Sequence, residues 1–245
     1  MSIKLSFISG LHNESSNLAL RVRRLVDGLE RYWGEDFELI LVENGSVDNT
    51  PDLMKEVVAL DNRVRTFCFS ERGLGLAYKK GIDMADGECI MLSAIDLPFG
   101  FSDLAQISRD NIDPNEIIFF SKSHKDSIFP RPVPRRLVSK VLNFLLLLLF
   151  RVRIRDTQGS IFLPRNTAKS LLKCATSPTL FFTAQLAIYA EHAGFKLKEL
   201  PVSRSPSVHG RKSTFKIFRD GISVFYEIAK ELHWYGSKTK GCKNH

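Results

Sequence analysis

Cysteine is scarce in this 245-residue chain: Cys68, Cys89, Cys174 and Cys242 are widely scattered and make no paired metal-binding spacing. Buried or free thiols in a reducing compartment are the expectation. Long hydrophobic runs are missing as well. The most apolar segment, Val141–Phe150, falls well short of the about 20 residues that span a bilayer. At the N-terminus, MSIKLSFISG carries one Lys and a short apolar run before turning polar at His12, Asn13 and Glu14. A secretory signal needs a longer apolar region and a small-residue cleavage site, so this stretch reads as a first strand, and a cytosolic protein is expected. Acids are absent between Phe129 and Arg155, a stretch that holds Arg131, Arg135, Arg136, Lys140, Arg151 and Arg153. Internal repeats, low-complexity tracts and convincing linkers are lacking too, which leaves a single domain.

What is present is ordinary for a globular protein. Hydrophobic residues at 44% and charged residues at 25% exclude global disorder. Lys and Arg (35) outnumber Asp and Glu (27), for a net charge of +8. That balance favours an anionic partner: a phosphate-bearing substrate, an acidic membrane surface or nucleic acid. No recognition motif accompanies the charge, so nucleic acid is not expected.

Lys4–Ser9 reads as a buried strand. Leu18, Val22, Leu25, Leu29 and Tyr32 recur at helical spacing and predict an amphipathic helix from Ser15 to Trp33. Phe37–Val42 is a second strand, and TPDLMKEVVAL a second helix with Thr50 as N-cap and Pro51 in its first turn. Val64–Phe69, Glu88–Ser93, NEIIFFSKS and KLKELPV supply further strands. Leu74–Ala85, NTAKSLLKC, TLFFTAQLAIYAEHAG and TFKIFRDGISVFYEIAKEL read as helices. Alternation with short connections implies an α/β fold: a parallel, right-handed, doubly wound sheet that binds ligands at the carboxyl ends of its strands. Three of those ends are unusually polar: GLHNE, ENGSVDN and AIDLPFG. Each alone can be a solvated turn. Together on one edge they mark a site for a polar ligand.

In content and spacing, LVENGSVDNT, ERGLGLAYKKGIDMADGECIMLSAIDLPFGFSDL and RDTQGSIFLPR resemble family 2 glycosyltransferases of the GT-A (nucleotide-diphospho-sugar transferase) fold. The branch they most resemble is that of the dolichyl-phosphate mannose and glucose synthases. The similarity runs from Ile3 to the neighbourhood of Leu232. It implies a doubly wound, mostly parallel sheet flanked by helices, as one domain over 1–245. Residues 1–125 would form the nucleotide-sugar half and 126–235 the acceptor and membrane-facing half.

The same resemblance implies roles for individual residues. The family's first loop, proline–x–tyrosine–asparagine–glutamate, corresponds to GLHNE: Asn13 and Glu14 match, while Gly10 and His12 replace the proline and tyrosine. Glu14 is then a nucleotide ligand, or else an ordinary first-turn helix acid. Glu43 stands where the family's strand-two acid accepts from the base, with Asn44 where a second Asp is common. A carboxylate can accept from the N–H groups of uracil or guanine, which points to a UDP- or GDP-sugar. The metal motif Asp–x–Asp reads Ala94–Ile95–Asp96. Its first acid is missing, but the context DLPFG is intact. Asp96 is expected to hold Mg2+ or Mn2+, with water and diphosphate oxygens completing an oxygen shell, and Ala94 and Ile95 to lie against the donor.

Arg72, Gly73 and Gly75 line the donor pocket in this reading. As a dinucleotide fingerprint the segment fails, because Tyr78 stands where the third Gly belongs. Lys122 falls where the family often has an Arg that approaches the diphosphate. Arg204, His209, Arg211 and Lys212 lie on a basic loop, and Arg211 and Lys212 are expected to close over the pyrophosphate. Asp156 and Gln158 fall in the family's Asp–Thr–Gln motif and, with Arg131 and Arg135, make up the expected acceptor side. The plain alternative for Asp156 is a turn, or a salt bridge with Arg153 or Arg155.

Val141–Phe150 reads either as a buried core helix or as an interfacial helix whose flanking cations reach phosphate headgroups. The related lipid-phosphate enzymes have interfacial helices in this region, which favours membrane contact. The expected function is inverting transfer of a hexose from a UDP- or GDP-sugar to a polyprenyl phosphate. The protein would be peripheral on the cytosolic membrane face or rely on a membrane-bound partner. Two alternatives stay open. A hydroxyl acceptor would require a general base such as Asp96. A catalytically inactive nucleotide-binding or scaffold protein would account for Ala94.

Overall fold

Among the described residues, apolar runs bounded by polar turns become seven strands: β1 (Leu5–Leu11), β2 (Phe37–Asn44), β3 (Val64–Phe69), β4 (Cys89–Leu92), β5 (Glu116–Ser121), β6 (Ile161–Pro164) and β7 (Lys196–Pro201). The helices are α1 (Leu18–Trp33), α2 (Thr50–Val57), α3 (Leu74–Met84), α4 (Val133–Phe150), α5 (Arg165–Leu171), α6 (Phe182–Ala193) and α7, residues 225–235. The structure is a computed structural model. It describes residues 3–107, 109, 112–130, 132–204 and 225–235, without the side chain of Arg135.

The strands form one sheet in the order β3-β2-β1-β4-β6-β5-β7. β1 pairs in parallel with β2 and β4, β2 with β3, and β5 with β7. β6 runs antiparallel to both β4 and β5. A mostly parallel sheet was the expectation, and β6 is the strand that runs the other way. Its four buried residues are too short for a periodicity, and they follow the 155–160 loop, which turns the chain back toward β4. An antiparallel neighbour needs no crossover helix packed over the sheet. The segment between β5 and β6, which includes α4, is therefore released from that duty.

Helices cover both faces of the sheet, giving three layers. On one face α1 buries Leu18, Val22, Leu25, Leu29 and Trp33 at the spacing of a single helical stripe, against Leu5, Phe7 and Leu39. The helix ends at Gly34, whose φ of 63° suits a residue without a Cβ. On the other face lie α3, α5 and α6. α6 is buried from Phe182 through Ala190, because the sheet lies to one side and α7 to the other. Tyr189 and Gln185 of α6 both donate to the buried carboxylate of Glu231 in α7. Cys68 and Cys89 are free thiols; Cys174 is disulfide-bonded, which corrects the expectation of thiols throughout.

The start of α3 is glycine-rich because residues 177–179 press against it. The Gly75 and Leu76 amides donate to the Pro178 carbonyl at 3.0 and 3.3 Å, and a Cβ on Gly75 would lie 2.2 Å from the Ser177 carbonyl oxygen. Gly75→Ala is expected to destabilise the protein by about 1–3 kcal/mol, the scale of overpacking. Urea unfolding checks this, and an unchanged midpoint would show that the two segments part easily.

Candidate functional site

Parallel pairing sets Leu11 beside Glu43 and Ile8 beside Leu92, so the ends of β1, β2 and β4 share one edge. The loops after β1 and β2 are zipped together there. The Asn13 amide donates to Ser46 Oγ at 2.9 Å, and the Val47 amide donates to Asn13 Oδ1 at 2.9 Å. The Glu14 amide donates to Thr50 Oγ1 at 2.8 Å and the Ser15 amide to Asp48 Oδ2 at 3.2 Å. Asp48 Oδ1 also accepts from the Thr50 amide and hydroxyl, at 3.0 and 2.5 Å. Burial opposes the Asp48 carboxylate, but the hydrogen bonds from Thr50 and Ser15 outweigh it and hold its pKa at about 2. Much of the polar burst in ENGSVDNT is thus a clasp between two loops. Thr50, expected as the N-cap of α2, is its first residue, with Asn49 ahead of it, and its hydroxyl serves the clasp instead.

The expected donor residues line this edge. Glu43 is buried, and its Oε1 accepts from the Ser46 amide at 2.5 Å. Asn44 engages both ends of its amide: Nδ2 donates to the Leu11 carbonyl at 2.7 Å, and Oδ1 accepts from the Gly73 amide at 3.2 Å. Its own carbonyl oxygen lies 3.1 Å from His12 Nδ1. Glu14 is ion-paired with Arg21 of α1, and Arg72 is exposed just ahead of Gly73. The Gly73 and Gly75 amides are taken by Asn44 and Pro178, so these glycines provide close approach rather than an amide cradle for phosphate.

At the tip of β4, Ala94 is exposed, Ile95 buried and Asp96 half-buried. The Leu97 amide closes a turn on the Ala94 carbonyl at 3.1 Å, and Leu97 itself has φ 46°, uncommon for a branched residue. Tyr78 of α3 lies close by: burial first, and then the charge of Asp96, raise the pKa of its hydroxyl.

Lys122, just beyond β5, joins this loop to the Asp156 loop. Its Nζ donates to the Gln158 carbonyl at 2.8 Å and pairs with Asp156 Oδ2 at 3.1 Å. The same ammonium stands 5.6 Å from the centre of the Phe99 ring, in the loop that follows Asp96. The ion pair expected for Asp156 with Arg153 or Arg155 is made with Lys122 instead. Asp156 turns inward, whereas both arginines point to solvent. Two buried polar atoms of this corner, Thr157 Oγ1 and Gln158 Oε1, have no hydrogen-bond partner among the described residues.

Among the described residues no three His, Cys, Asp or Glu side chains gather into a ready metal cage. A single carboxylate, Asp96, fits a Mg2+ or Mn2+ shared with diphosphate oxygens and water, because phosphate-bound Mg2+ needs only one or two protein carboxylates. Arg131, His209, Arg211 and Lys212 lie outside the described residues, as does the side chain of Arg135.

On the expected acceptor side, α4 is not the buried core helix of the plain reading. Leu146 and Phe150 are buried, but Val133, Leu137, Val141, Phe144 and Leu148 are 72%, 63%, 42%, 62% and 64% exposed. Those five positions fall on one helical stripe, with Arg136 and Lys140 exposed beside it. Among the described residues no helix is long and apolar enough to cross a membrane.

Sequence reasoning gave no individual role in the site to Ser46, Asp48, Thr50, Arg21 or Tyr78. The first three stand in the polar burst ENGSVDNT and so had a signal. Arg21 and Tyr78 sit in amphipathic helices and had none.

Known proteins agree with this architecture. The sequence pattern described as Glycosyl transferase family 2 matches residues 6–143. Glycosyltransferase AglD of Haloferax volcanii is 27% identical over 208 residues, 83% of this chain, and the chain spans 33% of that relative's length. The fold is that of mannosyl-3-phosphoglycerate synthase from Rubrobacter xylanophilus, with TM-score 0.60 and 11% identity over 96% of this chain and 75% of that one. It is also that of the mannosyltransferase PcManGT from Pyrobaculum calidifontis, solved with GDP-Man and Mn2+, with TM-score 0.51 and 14% identity over 99% of this chain and 74% of that one. The doubly wound, mostly parallel sheet is therefore the GT-A fold. With more than half of its residues matched by the family pattern, the chain belongs to glycosyl transferase family 2.

Proposed function

We propose that this glycosyltransferase moves a hexose from a UDP- or GDP-sugar to a polyprenyl (dolichyl-type) phosphate, with inversion at the anomeric carbon. It does so as a peripheral protein on the cytosolic face of an anionic membrane, where a membrane-bound partner can join it. Residues 1–125 hold the donor, and 126–235 present the acceptor and the membrane. The observation that carries the reading is the exposed apolar stripe of α4 with its flanking cations. A water-soluble acceptor has no use for such a face, whereas a polyprenyl tail has to be met at a bilayer.

Glu43 accepts an N–H of the base. The GDP-Man and Mn2+ held by the Pyrobaculum neighbour support a nucleotide-sugar donor with a divalent cation. Asp96 would hold Mg2+ or Mn2+, which when bound offsets charge on the diphosphate. Asn13, Glu14, Asn44 and the two glycines keep the rim in shape. Arg72, Lys122, Arg211 and Lys212 favour the departing diphosphate electrostatically. A phosphate oxygen of the acceptor attacks the anomeric carbon as the bond from that carbon to the diphosphate oxygen breaks. The acceptor is already anionic, so no general base is needed. Asp156, Gln158, Arg131 and Arg135 have only to orient it.

Calorimetry with nucleotide sugars and Mn2+, followed by turnover on polyprenyl phosphate and on water-soluble acceptors, tests this. Transfer to the lipid phosphate is expected. Transfer only to a hydroxyl acceptor would overturn the lipid reading, and donor binding without any turnover would favour a scaffold. In the same assay Glu43→Gln keeps an acceptor for the Ser46 amide but turns an NH2 group toward the base. It is expected to weaken donor binding by about 1–3 kcal/mol, the scale of an unpaired polar group. Equal affinity would remove Glu43 from the site.

A further inference from the structure

A carboxyl group that the proposed transfer does not use lies in the interior, between the two loops that Lys122 joins. Asp103, just ahead of the short helical turn Leu104–Gln106, is 3% exposed. Its Oδ1 accepts from the Leu104 amide at 2.9 Å, and its Oδ2 accepts from the Ser160 hydroxyl at 2.8 Å. Ser160 Oγ lies in turn 2.8 Å from Ser93 Oγ. A hydroxyl has one proton. With that of Ser160 given to Asp103, Ser93 has to donate to Ser160, and the chain runs one way.

Ser93 directly precedes Ala94 at the tip of β4, and Ser160 directly precedes β6 after the Asp156–Gln158 loop. Both serines are buried. Among the described residues no cation pairs with Asp103. Burial outweighs its hydrogen bonds and pushes its pKa to about 6. A well-packed apolar residue would fill this place at lower cost. What Asp103 adds is one fixed partner for the Ser160 hydroxyl, at the end of a chain whose Ser93–Ser160 link joins positions 67 residues apart.

We propose that Asp103 is a positioning residue: through Ser160 and Ser93 it locks the β4 tip, with Asp96, against the loop of Asp156 and Gln158. The span between the metal side and the acceptor side is thereby fixed from the interior, while Lys122 fixes it from the cleft. The role in transfer rests on the function proposed above; the lock itself does not.

The test compares the intact chain with Ser160→Ala and Asp103→Asn by amide hydrogen exchange and by steady-state kinetics. Ser160→Ala breaks the chain. Asp103→Asn keeps it, because an amide can pair with both Leu104 and Ser160. Ser160→Ala is expected to speed exchange about tenfold in residues 94–100 and 156–159 together, with β2 unchanged. It should lower kcat by about ten- to a hundredfold while the donor KM stays near its starting value. Asp103→Asn should leave both readouts near those of the unaltered protein. Should Ser160→Ala not fold, Ser93→Ala breaks the same chain one link earlier. Faster exchange confined to the substituted segment would overturn the lock, and loosening of both loops at unchanged kcat would overturn the positioning role. If the unaltered chain transfers sugar to no acceptor, the transferase reading fails. The exchange data then decide the lock alone, by whether one segment or both respond.

Discussion

Asp96→Ala is expected to lower sugar transfer by about 10²–10³-fold, the scale of removing one fixed partner of developing charge in a preorganised site. The motif offers no substitute: Ala94 stands where its first acid would be, and no cluster of three His, Cys, Asp or Glu side chains forms among the described residues. The side chain is half-buried at a strand tip, so its loss creates no cavity and the melting temperature should hold. Mn2+ dependence separates this from a general effect. The residual activity of the variant should no longer respond to added Mn2+, whereas the unaltered protein should saturate. Unchanged turnover in the variant would show that the metal assignment is wrong.

Phe144→Glu combined with Leu148→Glu should release the protein from acidic vesicles. Burying a Phe or Leu side chain contributes about 1.5–3 kcal/mol, so losing two should reduce partitioning by roughly two to four orders of magnitude. Both residues are more than half exposed, and the fold loses little by the change. Arg136→Gln with Lys140→Gln reads the electrostatic share, about 1 kcal/mol per cation near the surface, which fades as salt is added. Donor binding should survive all four substitutions, since Glu43 and Asp96 lie on other elements. Vesicle sedimentation at low and high salt decides. If the unaltered protein stays in the supernatant under every condition, the stripe meets something other than lipid, and a soluble acceptor becomes the better reading.

β1 and β2 were legible as nearly continuous apolar runs, and α1 because Leu18, Val22, Leu25 and Leu29 fall on one helical face, although Trp33 rather than the expected Tyr32 closes that face. β6 was not, since IFLP has four residues, all buried, and its Pro164 reads as an end rather than a middle. In α4 the run LLLLLF hid two faces at once. Periodicity could not say that Leu146 points inward and Leu148 outward. At the site, residue type marked the right strand ends, but not which groups would be taken up by one another. Asn13 meets Ser46 and Glu14 meets Thr50 across 33 and 36 residues, and Lys122 finds Asp156 across 34. Such pairings follow from where two loops meet, which no local pattern encodes.

The antiparallel β6 also has a consequence for synthesis on the ribosome. β4 pairs with β1 on one side and with β6 on the other, with Cys89 opposite Pro164. When Leu92 leaves the exit tunnel, the β1 side can close at once, but the other edge of Cys-Ile-Met-Leu has no partner until Pro164 has been made. At about 5–20 residues per second that interval lasts several seconds. Throughout it an apolar strand edge stands open as a template for other chains. The hazard of aggregation therefore belongs to the nascent chain, and it closes when the turn after Asp156 brings the missing strand home.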